Sequence, residues 1–503
     1  MTANLFTAFS RTFENNAHRP ALRPAGGAVV SYEDLGRETG KLTNALQAAG
    51  VGAGDRVAVQ VDKSVENVFL YLACLKAGAV YLPLNTAYTD NELDYFFSDA
   101  EPSLIVCKPD RADGIRALAS ATDVTVHTLD AHGGGSLIQA AASMSTDCQP
   151  VQRVAADLAA ILYTSGTTGR SKGAMITHGN LLANAETLID SWAISSTDVL
   201  LHALPIFHVH GLFVALNTCL MTGAEILFHS KFETDAVLDA LPDATVMMGV
   251  PTFYTRLLAS ERLTPDLCQK IRLFIAGSAP LLDETFRAFE TKSGHAILER
   301  YGMTECGMLC SNPLNGKRRP GTVGPPLADV EVRVADEQGE ILGQGETGVL
   351  EVKGPNVFKG YWRMPEKTKE EFREDGFFIT GDISRIDEDG YVHIVGRAKD
   401  MIISGGFNVY PKEIETVIDD MPGVGESAVI GLQHPDFGEG VAAVVTVAGG
   451  DGLDEKAIID TCRESLAAYK VPKSVFIVKE LPRNTMGKVQ KNQLRETYAK
   501  TFV

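Results

Sequence analysis

Apolar residues fall along this chain in two alternating rhythms, short unbroken runs and longer stretches spaced three and four apart, which is the pattern of strands interleaved with helices. Leu35 to Ala49 carries the helical spacing and stops at Gly50, Arg56 to Val61 reads as a strand, and Ser64 to Ala77 as a second helix closed by Gly78. Tyr81 to Asn85 is a strand whose Pro83 puts it at a sheet edge or marks a strand end, and a helix follows near Glu92 to Ala100. Ala112 to Pro150, with Gly133, Gly134 and Gly135 in a row, reads as a variable connection.

Asp157 to Tyr163 and Ala174 to Ile176 are apolar runs either side of a polar loop, and His178 starts a helix running towards Trp192. Leu200 to Ala203, Thr245 to Val250 and Leu273 to Ala276 are strands, the second entering a helix at Pro251 to Ala259. From Gly321 to Asp389 the pattern shortens to alternating strands with turns at Asp336 to Gly339 and Asp387 to Gly390, a β-rich subdomain. Beyond Lys399 it changes again: a helix from Val409, strands at Gly425 to Gly431 and Gly440 to Val447, and a helix at Glu455 to Leu466. The expected fold class is therefore α/β: a large N-terminal domain (1–398) of α/β layers with a β-rich subdomain, and a small α+β C-terminal domain (399–503).

At 503 residues, 45% hydrophobic and 22% charged, the chain has the composition of a folded protein of more than one domain. Its net charge of -18 argues against nucleic-acid and anionic-membrane partners. The exception is the C-terminal end, where Lys470, Lys473, Lys479, Arg483, Lys488, Lys491, Arg495 and Lys500 face only Glu480 and Glu496, so a small anion could be met there. The 8 cysteines are scattered, which fits a reducing compartment. Cys306 and Cys310, with no second pair at metal-ligand spacing, read as buried or pocket-lining thiols. No leader or apolar run of membrane-spanning length is evident, so a cytoplasmic, soluble protein is expected.

Chemistry enters at Tyr163-Thr-Ser-Gly-Thr-Thr-Gly-Arg-Ser-Lys-Gly173. Glycines that admit close backbone approach, hydroxyl donors, and the charges of Arg170 and Lys172 are what a polyphosphate needs, although a solvated hairpin has the same composition. The order lacks the Gly-Lys-Ser/Thr ending of a Walker loop. His208-Val209-His210 places two histidines together without a third ligand, so they read as pocket residues or, for one of them, as core. Several strands end in small or polar residues, Gly277 to Pro280 and Glu299 to Glu305 among them; in open α/β sheets such carboxyl ends converge on a ligand.

Taken in order, the Thr164 to Gly173 loop, Tyr301-Gly-Met-Thr-Glu305, Thr380-Gly-Asp382, Gly396-Arg-Ala-Lys-Asp400, Gly405-Gly-Phe-Asn-Val-Tyr-Pro411 and Asn484-Thr-Met-Gly-Lys488 resemble the motifs of the adenylate-forming superfamily of acyl-CoA synthetases, luciferases and peptide-synthetase adenylation domains. The resemblance covers essentially the whole chain and implies that superfamily's fold, with a mobile C-terminal domain, and its two half-reactions: a carboxylate attacks the α-phosphate of ATP, then the thiol of CoA displaces AMP. It further implies that Thr164, Ser165, Gly166, Thr167, Thr168, Gly169 and Lys172 hold the β- and γ-phosphates, that Thr304 contacts the α-phosphate, and that Glu305 helps hold Mg²⁺. Gly277, Ser278, Ala279, Glu299, Tyr301 and Gly302 would flank the adenine, and Asp382 with Arg397 the ribose. Lys488 would be catalytic, bridging carboxylate and α-phosphate; Lys399 would be the hinge about which the C-terminal domain turns; Gly405, Gly406 and Phe407 would line the CoA approach. Counterparts of Lys488 can be acetylated, which implies an acetyltransferase and a deacetylase as partners.

The residue before Tyr301 is commonly small in synthetases for apolar acids, but here it is Arg300. By chemistry alone it is either half of an ion pair with Glu299 or another acid, or a ligand. The run Glu299 to Glu305 resembles that of malonyl-CoA synthetases, which implies that Arg300 clamps the distal carboxylate of malonate. His208 would lie at the reacting end, Ser278 nearby, and Val209 and Met308 would limit bulk at C2 and so decide on methylmalonate. The alternatives are a synthetase for a monocarboxylic fatty or aryl acid, an adenylation enzyme that loads a carrier protein, and an inactive nucleotide sensor.

Overall fold

The computed structural model describes residues 3–121, 124–164, 171–404, 407–447, 453–466, 468–484 and 487–503. Two sheets dominate the larger part of the molecule. One has six strands in the order Thr125–Thr128, Leu104–Cys107, Arg56–Gln60, Val80–Pro83, Leu158–Thr164, Lys172–Thr177, parallel except for the last pair. The other has eight, in the order Gly307–Ser311, Leu298–Met303, Leu273–Ala276, Val246–Gly249, Val199–His202, Glu225–Phe228, Pro20–Pro24, Val30–Ser31, parallel through its centre and antiparallel at both ends. The parallel strands are short apolar runs because they are covered on both faces: every residue of Leu273–Ala276 and of Val246–Gly249 is buried.

The helices begin and end where local chemistry allows. Ser64 accepts from the backbone N–H of Asn67 to start Val65–Ala77, and Gly78, at φ 70, closes it in the left-handed conformation. Thr177 and Asn180 form a reciprocal cap on His178–Trp192. Pro83 is the last residue of a strand lying between two others, so it marks a strand end and not an edge. Ala112 to Pro150 is more than a connection: it contains the helices Ala112–Leu118 and Ser136–Ala141 and the edge strand Thr125–Thr128.

A four-stranded antiparallel sheet, Glu331–Ala335, Gly348–Lys353, Phe378–Ile386, Val392–Arg397, forms the β-rich part. Past the 3₁₀ turn Ala398–Asp400 a separate five-stranded sheet is built around the long pair Val424–His434 and Gly438–Val447, with its own apolar clusters. The basic end is largely neutralised by folding. Lys470 pairs with Glu413, Arg483 with Glu426, Lys491 with Glu415 at 2.6 Å and Arg495 with Asp400 at 2.7 Å. The anion-binding potential read from sequence is thereby reduced to a few cations, Lys488 among them.

Candidate active site

The strand Leu298–Met303 turns back at Thr304-Glu305-Cys306 into Gly307–Ser311, so the site's central motif is itself a strand and a hairpin turn. Gly302 is required there, because a Cβ would lie 2.1 Å from the Gly307 carbonyl oxygen and 2.4 Å from Met308 Cε. Asn184 holds the returning strand from both sides of Met308, accepting from its N–H at 3.1 Å and donating to its carbonyl at 3.0 Å, and Asn356 donates to the Cys306 and Met308 carbonyls. Cys306 and Cys310 are buried thiols, and burial pushes both well above the usual range.

On the nucleotide side, Asp382 and Lys172 each have a partner of opposite charge among the described residues. Asp382, 2% exposed, accepts from the Tyr301 hydroxyl and pairs with Arg397 at 2.6 Å. Lys172 is buried, its ammonium 2.7 Å from Glu371 and 4.1 Å over the Tyr361 ring. Tyr361 donates to Glu371 at 2.7 Å and approaches Glu305 at 3.2 Å, and Thr164 Oγ1 approaches Glu305 at 3.3 Å. Ser165, Gly166, Thr167, Thr168 and Gly169 lie outside the described residues, as do Gly405 and Gly406. Phe407 is exposed and stacks on Tyr469 with ring centroids 4.7 Å apart.

Lys488 faces this cluster from the C-terminal sheet's side. Its turn is fixed by its own N–H donating to Asn484 Oδ1 at 2.9 Å, and a Cβ on Gly487 would come 3.1 Å from Thr252 Oγ1 on the larger part. Desolvation and the Arg397 guanidinium push the Lys488 ammonium down to about 8, with Asp382 opposing. Lys399 lies in the turn Ala398–Asp400 between the two groups of sheets.

The acid side is built differently. Arg300 is 3% exposed, its Nε and Nη2 have no hydrogen-bond partner, and among the described residues no carboxylate pairs with it. The pair with Glu299 is not made. Glu299 instead accepts from the Leu281 N–H at 3.3 Å, leaves its other oxygen without a partner, and is pushed by burial up to about 8. Burial pushes Arg300 down to about 9, still charged at neutral pH. Gly277 makes room for it: a Cβ there would be 2.3 Å from the guanidinium carbon.

Around Arg300 stand neutral donors. His208 accepts from the His210 N–H on Nδ1 at 3.3 Å, which leaves its proton on Nε2. His210, 1% exposed, meets Ser278 Oγ at 3.2 Å through Nδ1 and has no partner on Nε2. Burial first, then Arg300, pushes both imidazoles below the usual range, His208 down to about 4. Ser278 holds φ 73, a left-handed conformation that a non-glycine residue keeps only when its surroundings impose it. Behind Thr304 the space between Val209, Phe213, Asn184 and Gly307 is only about 10 Å³. His210 is the residue that the motif left undecided between pocket and core; its sequence signal was no more than its place in the His-x-His pair.

A family model for AMP-binding enzymes matches residues 9–362, and one for the AMP-binding enzyme C-terminal domain matches residues 413–488. The chain belongs to the AMP-binding enzyme family. It superposes on ATP-bound MatB from Rhodopseudomonas palustris with a TM-score of 0.98 at 57% identity, covering all of both chains, and on the apo form of that protein with 0.87. A feruloyl-CoA synthase from an Amycolatopsis species is 37% identical over 489 residues, 96% of each chain. The malonate–CoA ligase of Arabidopsis thaliana is 35% identical over 491 residues, 91% of this chain and 80% of its own.

Proposed function

We propose that the protein is an AMP-forming malonate–CoA ligase, converting malonate, ATP and CoA to malonyl-CoA, AMP and pyrophosphate, and accepting methylmalonate as far as Val209 and Met308 allow. The observation that carries this reading is the buried, unpaired Arg300 ringed by His208, His210 and Ser278. Identity to the two curated relatives does not choose the acid, since the feruloyl-CoA synthase matches about as well as the malonate–CoA ligase, although MatB, at 57%, matches better than either. The local charge does. An apolar acid would leave the guanidinium uncompensated, a cost of several kcal/mol, whereas a distal carboxylate satisfies it bidentately. The cavity beside Thr304, lined by Val209, Phe213 and Gly307 among others, measures only about 10 Å³.

In this reading Arg300 holds one carboxylate while the other meets the α-phosphate of ATP between Thr304 and Lys488. Two anions approach each other there, and the Lys488 ammonium and backbone N–H groups offset their repulsion. Asp382 accepts from the ribose hydroxyls, Arg397 fixing its orientation at 2.6 Å. Glu305 fits a magnesium ion that takes one protein carboxylate and otherwise phosphate and water oxygens, because it is buried, meets the hydroxyls of Thr164 and Tyr361, and among the described residues pairs with no cation. When bound, that ion would neutralise phosphate charge. Rotation about Lys399 then withdraws Lys488 and brings up Gly405, Gly406 and Phe407 for the thiol of CoA. Acetylation of Lys488 would remove the cation and stop adenylation alone. The protein would work in the cytoplasm; among the described residues no helix is long and apolar enough to cross a membrane.

Pyrophosphate release measured over malonate, methylmalonate, succinate, acetate and a longer fatty acid, with and without CoA, tests the reading. Malonate or methylmalonate should lead, with turnover dependent on CoA. A lead by acetate or the fatty acid would overturn it.

A further inference from the structure

At the carboxyl ends of both large sheets lies a partly buried cation that the proposed mechanism does not use. Lys63 follows the strand Arg56–Gln60 of the six-stranded sheet and reaches across to the eight-stranded one. Its ammonium lies 2.8 Å from His202 Nδ1, 2.9 Å from the His202 carbonyl oxygen and 4.3 Å over the Phe228 ring. Among the described residues it has no carboxylate partner; its neighbour Asp62 pairs with Lys108 at 3.4 Å. Burial pushes Lys63 well below the usual range.

The contacts fix a direction. A carbonyl oxygen only accepts, so the contact with Gly211 puts the ring's proton on His202 Nε2 and leaves Nδ1 to accept from Lys63. That Nε2–H donates to the Gly211 carbonyl at 2.9 Å. Gly211 belongs to the turn that carries His208, Val209 and His210, at the start of the π-helical stretch His210–Leu216, an irregularity common at functional sites. The turn is closed tightly: the Leu212 N–H donates to the His208 carbonyl at 2.9 Å, and a Cβ on Gly211 would lie 2.1 Å from the Pro205 carbonyl oxygen. His202 is 1% exposed, so the bond to Gly211 does not compete with water.

We infer that Lys63 and His202 are positioning residues that set the His208-Val209-His210 turn against the acid held at Arg300. Lys63 holds the His202 ring and its carbonyl, His202 anchors the Gly211 carbonyl, and the two imidazoles that face Arg300 are thereby aimed. Neither residue touches the acid. The inference rests on the acid binding at Arg300, as proposed above.

Steady-state kinetics on four variants test it. Lys63→Met and His202→Leu should raise the KM for malonate roughly tenfold to a hundredfold, as expected for a misplaced binding group, while leaving the KM for ATP within about twofold. His202→Gln, whose amide offers an N–H where Nε2–H stood, and Lys63→Arg, which keeps a cationic donor, should each recover most of the loss. Equal changes in the two KM values, or a lowered melting temperature with unchanged KM values, would overturn the inference. So would a failure of both conservative variants to recover the malonate KM. If the unmodified protein turns over acetate in preference to malonate, the reading of the acid fails first, and that is seen before any variant is made.

Discussion

The two ends of this active site treat charge in opposite ways. At the nucleotide end Asp382 has Arg397, Lys172 has Glu371, and Tyr361 joins Glu371 to Glu305. At the acid end Arg300 is as deeply buried and, among the described residues, has no carboxylate partner. A paired site is complete before its ligand arrives and suits a substrate that all members of a family share. An unpaired one is completed only by its ligand, and so it selects.

The sharpest way to break that contrast is at Arg300. Arg300→Met should lower kcat/KM for malonate by roughly a thousandfold and shift preference towards butyrate, because discrimination built on a buried polar group is lost with it. The same variant should be more stable by about 1–3 kcal/mol in urea unfolding, since an uncompensated buried charge is gone. Unchanged preference for malonate over butyrate would mean that the cation is structural.

Lys488→Ala should lower acyl-adenylate formation by about a hundredfold to a thousandfold, the usual effect of losing one group that stabilises developing charge. Thiolysis of preformed malonyl-adenylate should be retained. Wild-type pyrophosphate exchange into ATP by this variant would remove Lys488 from the mechanism.

At the paired end the cost should fall on folding. Glu371→Ala leaves Lys172 buried without its carboxylate and should destabilise the protein by about 3 kcal/mol, read from the denaturant midpoint, with the ranking of acids unchanged.

The smallest effect concerns pH. Lys488 sits at about 8 in the free protein, below the ordinary lysine value, so raising pH through 8 removes its proton and its charge. The kcat/KM for adenylation should therefore fall about tenfold per unit well above pH 8, while thiolysis of the preformed adenylate should not follow that limb. A flat profile to pH 9.5 would show that Lys488 remains protonated or is not needed.

The order of elements was legible because buried parallel strands are short apolar runs and the helices carry their own stops, as Gly78 does. Thr125–Thr128 was not legible, since in Thr-Val-His-Thr at a sheet edge three of the four residues are polar and there is no apolar run to announce it. The basic end was legible only in part: Lys488 faces the nucleotide side, but Glu413, Glu415 and Glu426, which pair with three of its other cations, lie on other elements, and a count along the chain does not see them. Arg300 stood out in the sequence as a charge where small residues are usual. Its isolation did not, because the absence of an acid partner depends on what three separate strand ends bring to one place. The role of His202 and Lys63 was hidden likewise, since their contacts join two sheets far apart in sequence.

Gly277 carries a consequence for how such a site can arise. With any side chain at 277, a Cβ would occupy the space of the Arg300 guanidinium, 2.3 Å from its central carbon. Such a site therefore arises most readily where the glycine is already present, since with a side chain at 277 the Arg300 guanidinium would have to leave the place it holds here.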